Sequence, residues 1–180
     1  MRLFVAYSGV NYWQHAQHDV QQSQPSAPIR WTHPYNLHLT LYFIGDIEVA
    51  AYASVVSTIK RVITATPSFI LHPVGVVPAA NPRSPSMIWL QYEKCEAFAE
   101  LNKRLYDELK PIVKSASLLH DPIPHVTLAR MKPRMVELEP IQTNIQFTPL
   151  NIDHASLWQT TYEPQGVRYK ELEKFCFVAT

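Results

Sequence analysis

The sequence predicts an α+β fold, and three observations support this class. Residues 36–44 alternate between apolar and polar side chains, which is typical of a half-buried β-strand. Residues 47–62 and 93–110 instead place apolar side chains at helical spacing. Short apolar runs surround these helices, and no glycine-rich phosphate loop or doubly wound βαβ pattern is present. The combination favours antiparallel strands with a few helices.

The first half of the chain predicts two strands, two helices and a loop. An apolar run at residues 3–7 indicates a buried strand, and residues 11–22 carry Trp13, Ala16 and Val20 at roughly helical spacing. Residues 23–28 have the composition of a loop. The alternating strand at 36–44 ends at Gly45, and Asp46 is a suitable N-cap for the helix that follows.

The second half predicts further strands around one amphipathic helix. Residues 69–77 and 87–92 are expected to be strands, and the three prolines in 78–86 indicate a loop between them. In the helix at 93–110, a shared apolar stripe faces inward, formed by Phe98, Leu101, Leu105 and Leu109. The remaining strands are expected at 125–128, 145–150, 155–161 and 173–178.

Length and charge limit the possible classes of protein. The 180 residues suffice for one compact domain or for two small lobes. A net charge of +1 and the lack of a basic stripe argue against coating of long nucleic acids. No apolar run has the length of a membrane helix or signal peptide, and Cys95 and Cys176 are too few for a disulfide framework. We expect one cytoplasmic domain over residues 1–180, without membrane contact, working as a monomer.

Two short segments resemble each other and lie nearly half the chain apart. They are Leu37-His38-Leu39-Thr40-Leu41 and Pro124-His125-Val126-Thr127-Leu128. Residues two apart on a strand share a face, so each segment presents an imidazole beside a hydroxyl. Five matching residues make a weak repeat. The spacing nevertheless fits a duplicated lobe with one His-x-Thr motif (residues 38–40 and 125–127) in each copy.

Paired imidazoles suit the cleavage of a phosphodiester without a metal. One group must take a proton from water and another must give a proton to the leaving oxygen. Histidine titrates near neutral pH, and two hydroxyls are suitable donors to the phosphate oxygens. A single histidine on a strand is more often structural, but duplication of the motif favours function. Zinc is less suitable, because the motifs offer two nitrogens without an evident carboxylate or thiolate.

Two neighbours of the motifs are further candidates. Tyr42 continues the alternation of His38 and Thr40, so we expect its ring near the site, where a base could stack on it. Arg130 lies five residues after His125 and would face away on a regular strand. It reaches the site only if the strand ends or bulges near Ala129.

With these motifs, the sequence resembles a bacterial RNA 2′,3′-cyclic phosphodiesterase of the LigT-like (2′-5′ RNA ligase) family, within the 2H phosphoesterase superfamily. Several blocks carry the resemblance: Arg2-Leu3-Phe4-Val5-Ala6, Trp31 with residues 36–45, Ile88-Trp89-Leu90, residues 124–130, and Leu157-Trp158-Gln159-Thr160 with Gly166 and Tyr169. Thr160 stands where serine is usual, and residues 73–78 lack a glycine and an aromatic that the family often has.

The resemblance implies a fold and a set of roles. The fold is two similar lobes of antiparallel sheet plus helices around a central cleft. His38 would be the proton donor and His125 the proton acceptor, with phosphate bound by Thr40, Thr127 and Arg130. The implied substrates are RNA 3′ ends or nucleotides carrying a 2′,3′-cyclic phosphate, opened to a 2′-phosphomonoester without a metal or other cofactor.

Three alternatives stay open from the sequence. The same chemistry could act on small cyclic nucleotides or run in reverse as 2′-5′ ligation. A nucleotide-binding module without activity belongs to another class, although both intact motifs argue against it. A purely structural domain leaves the paired motifs unexplained.

Overall fold

The computed structural model describes residues 1–24, 28–79, 85–132, 141, 146–164 and 166–179. Within them the chain is α+β, as predicted, with three α-helices and ten strands. In chain order these are β1 (Arg2–Ser8), α1 (Asn11–Ser23), β2 (Arg30–Trp31), β3 (His38–Asp46), α2 (Tyr52–Ile63), β4 (Phe69–Leu71), β5 (Pro73–Ala79), β6 (Met87–Tyr92), α3 (Glu96–Leu109), β7 (His125–Arg130), β8 (Leu150–Ile152), β9 (His154–Glu163) and β10 (Gly166–Cys176).

Eight of these strands form one sheet whose registered pairs are all antiparallel. Its order is β10-β9-β1-β3-β7-β6-β5, and the short β2 also pairs with β7. The two strands that carry the His-x-Thr motifs, β3 and β7, are therefore neighbours at the centre. They meet at one registered pair, Leu39 opposite Val126. This pair joins a group of four strands to a group built from β7, β6, β5 and β2.

The helices cover one face of the sheet. Their buried side chains, such as Trp13, Ile59 and Leu101, belong to one apolar core with Leu39 and Val126. Successive strand residues point to opposite faces, so His38, Thr40, His125 and Thr127 point away from the helices. A smaller cluster lies on this open face, formed by Phe4, Ala6 and Trp158 with Tyr169 packed against it.

The predicted cap at Asp46 is wrong. Asp46 pairs opposite Arg2 at the end of β3, and Arg2 Nη1 donates to its carboxylate over 3.4 Å. Helical backbone begins with a 3-10 turn at Val49–Ala51, and α2 starts only at Tyr52. Pairing with β1 keeps residue 46 in the sheet, and a side chain held there cannot cap a helix that begins later.

The strand predicted at 69–77 is two strands in different sheets. β4 pairs with β8 in a separate two-stranded sheet, whereas β5 pairs with β6 and extends to Ala79, into the predicted loop. Residues 80–84 of that predicted loop lie outside the described residues, as do residues 25–27 of the loop predicted at 23–28. The segment 69–77 looks like one strand in the sequence, but it is divided because its two parts pair with different strands, β8 and β6.

The helix predicted at 93–110 and the last strands shift their limits. α3 begins at Glu96 because Cys95 has extended backbone, with φ −131° and ψ 123°. β8 begins at Leu150, where the predicted strand 145–150 ends, and Ile145 itself is outside the described residues. β9 confirms the strand expected at 155–161. β10 begins at Gly166 rather than 173, because it pairs along β9 as a long hairpin.

Within the described residues, no helix is both long and apolar enough to cross a membrane.

Candidate active site

The open face brings the two His-x-Thr motifs together across the centre of the sheet. Leu39 lies opposite Val126 in the antiparallel pair of β3 and β7. The same register places each histidine directly opposite the threonine of the other motif, with the two histidines diagonal to each other. All four motif side chains line one cleft of about 510 Å³. The structure thus gathers His38, Thr40, His125 and Thr127 on one rigid support.

Both imidazoles are held by the same kind of hydrogen bond. The Nδ1 of His38 lies 2.6 Å from the Asn36 carbonyl oxygen, and the Nδ1 of His125 lies 2.9 Å from the Ile123 carbonyl oxygen. A carbonyl only accepts, so in each ring Nδ1 carries the hydrogen and donates. The proton that each ring takes or gives must therefore travel through Nε2. Carbonyls two residues before each histidine set the tautomer and orientation.

Aromatic rings pack against each imidazole. The His38 ring centroid lies 4.9 Å from that of Phe4 and 5.0 Å from that of Tyr169, whose plane is 84° from that of the imidazole. Trp89 stacks on His125 with centroids 3.8 Å apart and planes 17° apart. A tryptophan face stabilises a cation above it, so Trp89 favours the proton on His125. These contacts also leave each imidazole little rotational freedom.

Burial lowers the pKa of both histidines. Desolvation is the main cause for His38, whose pKa falls from 6.5 to about 4, opposed by the hydrogen bond to Asn36 and reinforced by the nearby His125 and Arg130. Burial also lowers the pKa of His125, with Arg130 adding to the effect. Both rings are therefore mostly neutral at pH 7 in the free protein. An anion beside them would raise both pKa values.

A bulge brings Arg130 to the cleft. Between β6 and β7, Ile88 pairs with Ala129 but Trp89 pairs with Thr127, which leaves Leu128 as an extra residue. Leu128 and Ala129 are both buried, and the next side chain, Arg130, lines the cleft. This is the bulge near Ala129 on which the prediction for Arg130 depended. The placement of Arg130 is as predicted.

The same kind of bulge makes the predicted placement of Tyr42 wrong. Between β1 and β3, Val5 pairs with Tyr42 and Ala6 with Thr40, so Leu41 is the extra residue. Tyr42 consequently points into the core, where it is 1% exposed and its hydroxyl donates to the Ser117 carbonyl oxygen. Burial raises its pKa to about 12. Phe43 takes the place in the cleft that alternation assigned to Tyr42.

The described lining of the cleft is strongly positive. Arg2, Arg30 and Arg130 all line it, and none of its described lining residues is a carboxylate. Among the described residues, no carboxylate lies within ion-pair distance of Arg130, and its Nη1 donates weakly to Met87 Sδ over 3.4 Å. A cleft with free guanidinium and hydroxyl groups suits an anion with several oxygens, such as a phosphate.

Sequence reasoning missed several lining residues. Phe43, Arg30 and Tyr169 come to the cleft through strand pairing, for which the local sequence carries no signal. Trp89 is different, since the alternation of β6 already separates it from its buried neighbours Ile88 and Leu90.

In the described residues, no group of three or more His, Cys, Asp or Glu side chains is arranged to hold a metal ion.

Comparison with known proteins decides the family. The sequence profile of the 2′-5′ RNA ligase superfamily matches residues 11–163, which is most of the chain. The chain belongs to this superfamily. The resemblance seen in the sequence is thereby confirmed, and the two motifs of this superfamily member lie within the matched region.

Curated relatives in bacteria and archaea carry one common name. The chain is 27% identical to a Thermotoga maritima protein named RNA 2′,3′-cyclic phosphodiesterase, over 79% of this chain and 76% of that one. It is 26% identical to a protein of the same name from Methanothermobacter thermautotrophicus, over 83% of each chain. The family relationship therefore extends beyond bacteria.

Solved structures share the fold. A Thermus thermophilus protein, TT0787, aligns with a TM-score of 0.80 at 22% identity over 98% of both chains. E. coli LigT, solved in complex with 3′-AMP, aligns with a TM-score of 0.74 at 21% identity, over 98% of this chain and 96% of that one. The predicted LigT-like fold class is confirmed.

Proposed function

We propose that this protein hydrolyses 2′,3′-cyclic phosphates at RNA 3′ ends and leaves a 2′-phosphomonoester. The observation that carries the proposal is the pair of oriented histidines, each donating through Nδ1 to a carbonyl, above a cleft lined by arginines. The names of the curated relatives support the same activity. The domain is one unit over residues 1–180, with one motif from each half of the sheet.

The proposed reaction needs two proton transfers. His125 Nε2 accepts a proton from water as its oxygen attacks phosphorus. The bond between phosphorus and the ribose O3′ breaks, and His38 Nε2 gives its proton to that oxygen. The products are a 2′-phosphomonoester and a free 3′-hydroxyl. The reaction adds one water and is redox-neutral, and the two histidines carry out both proton transfers. General acid and base catalysis of this kind contributes about 10²- to 10⁴-fold for each group.

The lowered pKa of His38 sets a condition on its role as the donor. A ring that is neutral in the free protein must gain a proton when substrate binds. The anionic cyclic phosphate supplies the cause, since a negative charge beside the imidazole favours the imidazolium. Substrate binding thereby charges the acid that the reaction needs.

The phosphate oxygens are assigned to three side chains. Thr40 and Thr127 place hydroxyls beside the two imidazoles, and Arg130 adds a guanidinium at the end of its bulge. These donors are suited to the charge that builds on the non-bridging oxygens in the transition state.

The cytoplasmic location and the monomeric state remain predictions. Sedimentation of the purified protein tests the monomeric state.

The decisive experiment uses an oligonucleotide that ends in a 2′,3′-cyclic phosphate. We expect turnover to a 2′-phosphate end, identified by ³¹P NMR against synthetic 2′- and 3′-phosphate standards. A 3′-phosphate product would contradict the direction of opening. Binding without turnover would instead favour the nucleotide-binding module. Joining of a 5′-hydroxyl oligonucleotide to the cyclic end would favour 2′-5′ ligation.

Histidine variants test whether the two rings act as one unit. His38→Ala and His125→Ala should each lower kcat by several orders of magnitude, and the double variant should be little worse than either, since groups acting together are non-additive. His72→Ala is the matched control, because His72 is exposed and lies outside the cleft lining. Near-normal turnover in either single variant would contradict the two-histidine mechanism.

A chelator tests metal independence separately. We expect unchanged kcat/KM after dialysis against EDTA, because the proposed proton transfers use only side chains. Loss of activity that a divalent cation restores would overturn this part of the proposal.

A further inference from the structure

A second cavity adjoins the cleft. It has a volume of about 400 Å³ and is lined by residues of the 34–36 turn and of the β9–β10 hairpin: His33, Tyr35, Asn36, Glu163, Gly166, Val167 and Arg168. Asn36 and Val167 also line the main cleft. The two spaces therefore share a wall, and a chain leaving the cleft over this wall enters the second cavity.

Hydrogen bonds hold the shared wall in place. Asn36 Nδ2 donates to the Val167 carbonyl oxygen over 2.9 Å, and the Tyr169 backbone N–H donates to Asn36 Oδ1 over 3.3 Å. The backbone carbonyl of the same Asn36 accepts the hydrogen bond from His38. One residue thus connects the imidazole, the hairpin and the second cavity, and fixes the distance between the two spaces.

An exposed aromatic pair forms one side of the second cavity. The Tyr35 side chain is 82% exposed and stacks on His33 with ring centroids 5.2 Å apart and planes 26° apart. The 3-10 turn at Pro34–Asn36 anchors both rings, and the fixed φ of Pro34 stiffens it. A rigid, solvent-facing aromatic surface is what an unpaired nucleobase stacks on.

Charge on the other side of this cavity suits a phosphodiester. Arg168 is largely exposed, and its guanidinium forms an ion pair with Glu163 that spans 3.7 Å at the surface. A surface pair of that length restrains the guanidinium weakly. A phosphodiester offers Arg168 a forked, charge-assisted contact that competes with the carboxylate.

We propose that the second cavity binds the nucleotide that precedes the cyclic-phosphate end of an RNA substrate. Its base stacks on Tyr35, and the phosphodiester on its way to the cleft contacts Arg168. The preferred substrate is then an oligonucleotide and not a cyclic mononucleotide. This inference rests on the proposed function, because the terminal nucleotide must occupy the main cleft.

The test compares two substrates that differ by one nucleotide. kcat/KM is measured for a 2′,3′-cyclic mononucleotide and for a dinucleotide with the same 3′ end. Stacking of one base corresponds to a preference of about 5- to 150-fold for the dinucleotide. Equal kcat/KM values for the two substrates would overturn the inference and leave the proposed function standing.

Variants assign the preference to the cavity. Tyr35→Ala should abolish the dinucleotide preference, Tyr35→Phe should keep it, and neither should change kcat/KM for the mononucleotide. Arg168→Ala should lower kcat/KM for the dinucleotide alone and reduce its salt dependence. Arg61→Ala is the matched control, since Arg61 is also an exposed arginine in a surface ion pair, with Glu108. If Tyr35→Ala lowers kcat/KM equally for both substrates, the residue acts through the Asn36 wall, and the inference is wrong.

A binding measurement separates the inference from the proposed function. Dissociation constants are measured for a 2′-phosphate mononucleotide and the matching dinucleotide, which need no turnover. Tighter binding of the dinucleotide, lost in Tyr35→Ala, supports the second cavity even when neither cyclic substrate is cleaved. Absence of cleavage contradicts the proposed function, whereas equal binding of the two ligands contradicts the inference.

Discussion

Phe43 and Arg130 occupy equivalent positions: each lies five residues after the histidine of its motif, and each lines the cleft. An extra residue three positions after each histidine, Leu41 or Leu128, creates the equivalence. Because β3 and β7 are antiparallel neighbours, Phe43 and Arg130 lie at opposite ends of the paired motifs. The cleft therefore has the Phe43 ring at one end, with the Arg2 guanidinium 5.1 Å from its centroid, and the Arg130 guanidinium at the other.

Phe43 rather than Tyr42 is expected to contact substrate. Phe43→Ala should raise KM by several-fold with little change in kcat, because a base held by stacking is bound about equally before and during reaction. Steady-state kinetics on a cyclic-phosphate oligonucleotide provide the measurement. Tyr42→Phe is the matched control, since it keeps the buried ring, and it should leave KM unchanged.

Tyr42 is expected to matter for stability. Its ring is sealed in the core, so Tyr42→Ala should lower the free energy of unfolding by about 3–5 kcal/mol. Tyr42→Phe leaves the Ser117 carbonyl oxygen without its donor and should cost about 1 kcal/mol. Urea unfolding gives both values. A fully stable Tyr42→Ala protein with a raised KM would restore the sequence-based placement of Tyr42 in the cleft.

Arg130 is expected to act in the transition state and on the histidines. Arg130→Ala should lower kcat by about 10²- to 10³-fold, as for the loss of one oxyanion donor, and Arg130→Lys should recover part of this loss. Because Arg130 lowers the pKa of both histidines, its removal should raise both pKa values, measured by NMR titration. Unchanged kcat together with unchanged pKa values would remove Arg130 from the site.

The pH dependence of kcat/KM is expected to be bell-shaped, with its maximum on the acidic side of ~6.5. One imidazole must be charged and the other neutral, and burial lowers the pKa of both in the free protein. The two apparent pKa values belong to the coupled pair. The profile of kcat should lie at higher pH, because bound phosphate raises both pKa values. A kcat/KM maximum above pH ~7.5 or a flat profile contradicts this account.

Stability should fall in acid partly through His38. With a folded-state pKa of about 4 and an unfolded value near ~6.5, the unfolded chain binds more protons between these limits. The contribution is therefore complete above about pH 6.5 and is lost as pH falls toward about 4. The ring is only partly buried, so the loss is at most about 3 kcal/mol. Unfolding of wild type and His38→Gln at both limits measures it. Equal acid sensitivity of the two proteins would contradict it.

The sequence alone determined the two motifs, the strands that carry them and which side chains share a face within each motif. The alternation of apolar and polar residues along 36–40 and 124–127 follows from the two-residue period of a strand, so it places each histidine beside its own threonine. The amphipathic helices are equally local in origin. The sequence also showed the condition for Arg130. Because Arg130 lies five positions after His125, it can share the face of His125 only if the alternation of the strand is interrupted.

Only the tertiary structure decided the bulges, the strand order and the two cavities. Leu41 is an extra residue because of the register between β3 and β1, and Leu128 is one because of the register between β7 and β6. In each case the partner strand is distant in the chain. After each extra residue, the side chains that would face the core face the cleft instead, and the reverse. Phe43 therefore lines the cleft in place of Tyr42. The placement of β3 beside β7, and of the β9–β10 hairpin against Asn36, likewise arises from long-range pairing. Local periodicity reports which residues share a face of one strand, whereas a site assembled from several strands depends on contacts that local sequence does not encode.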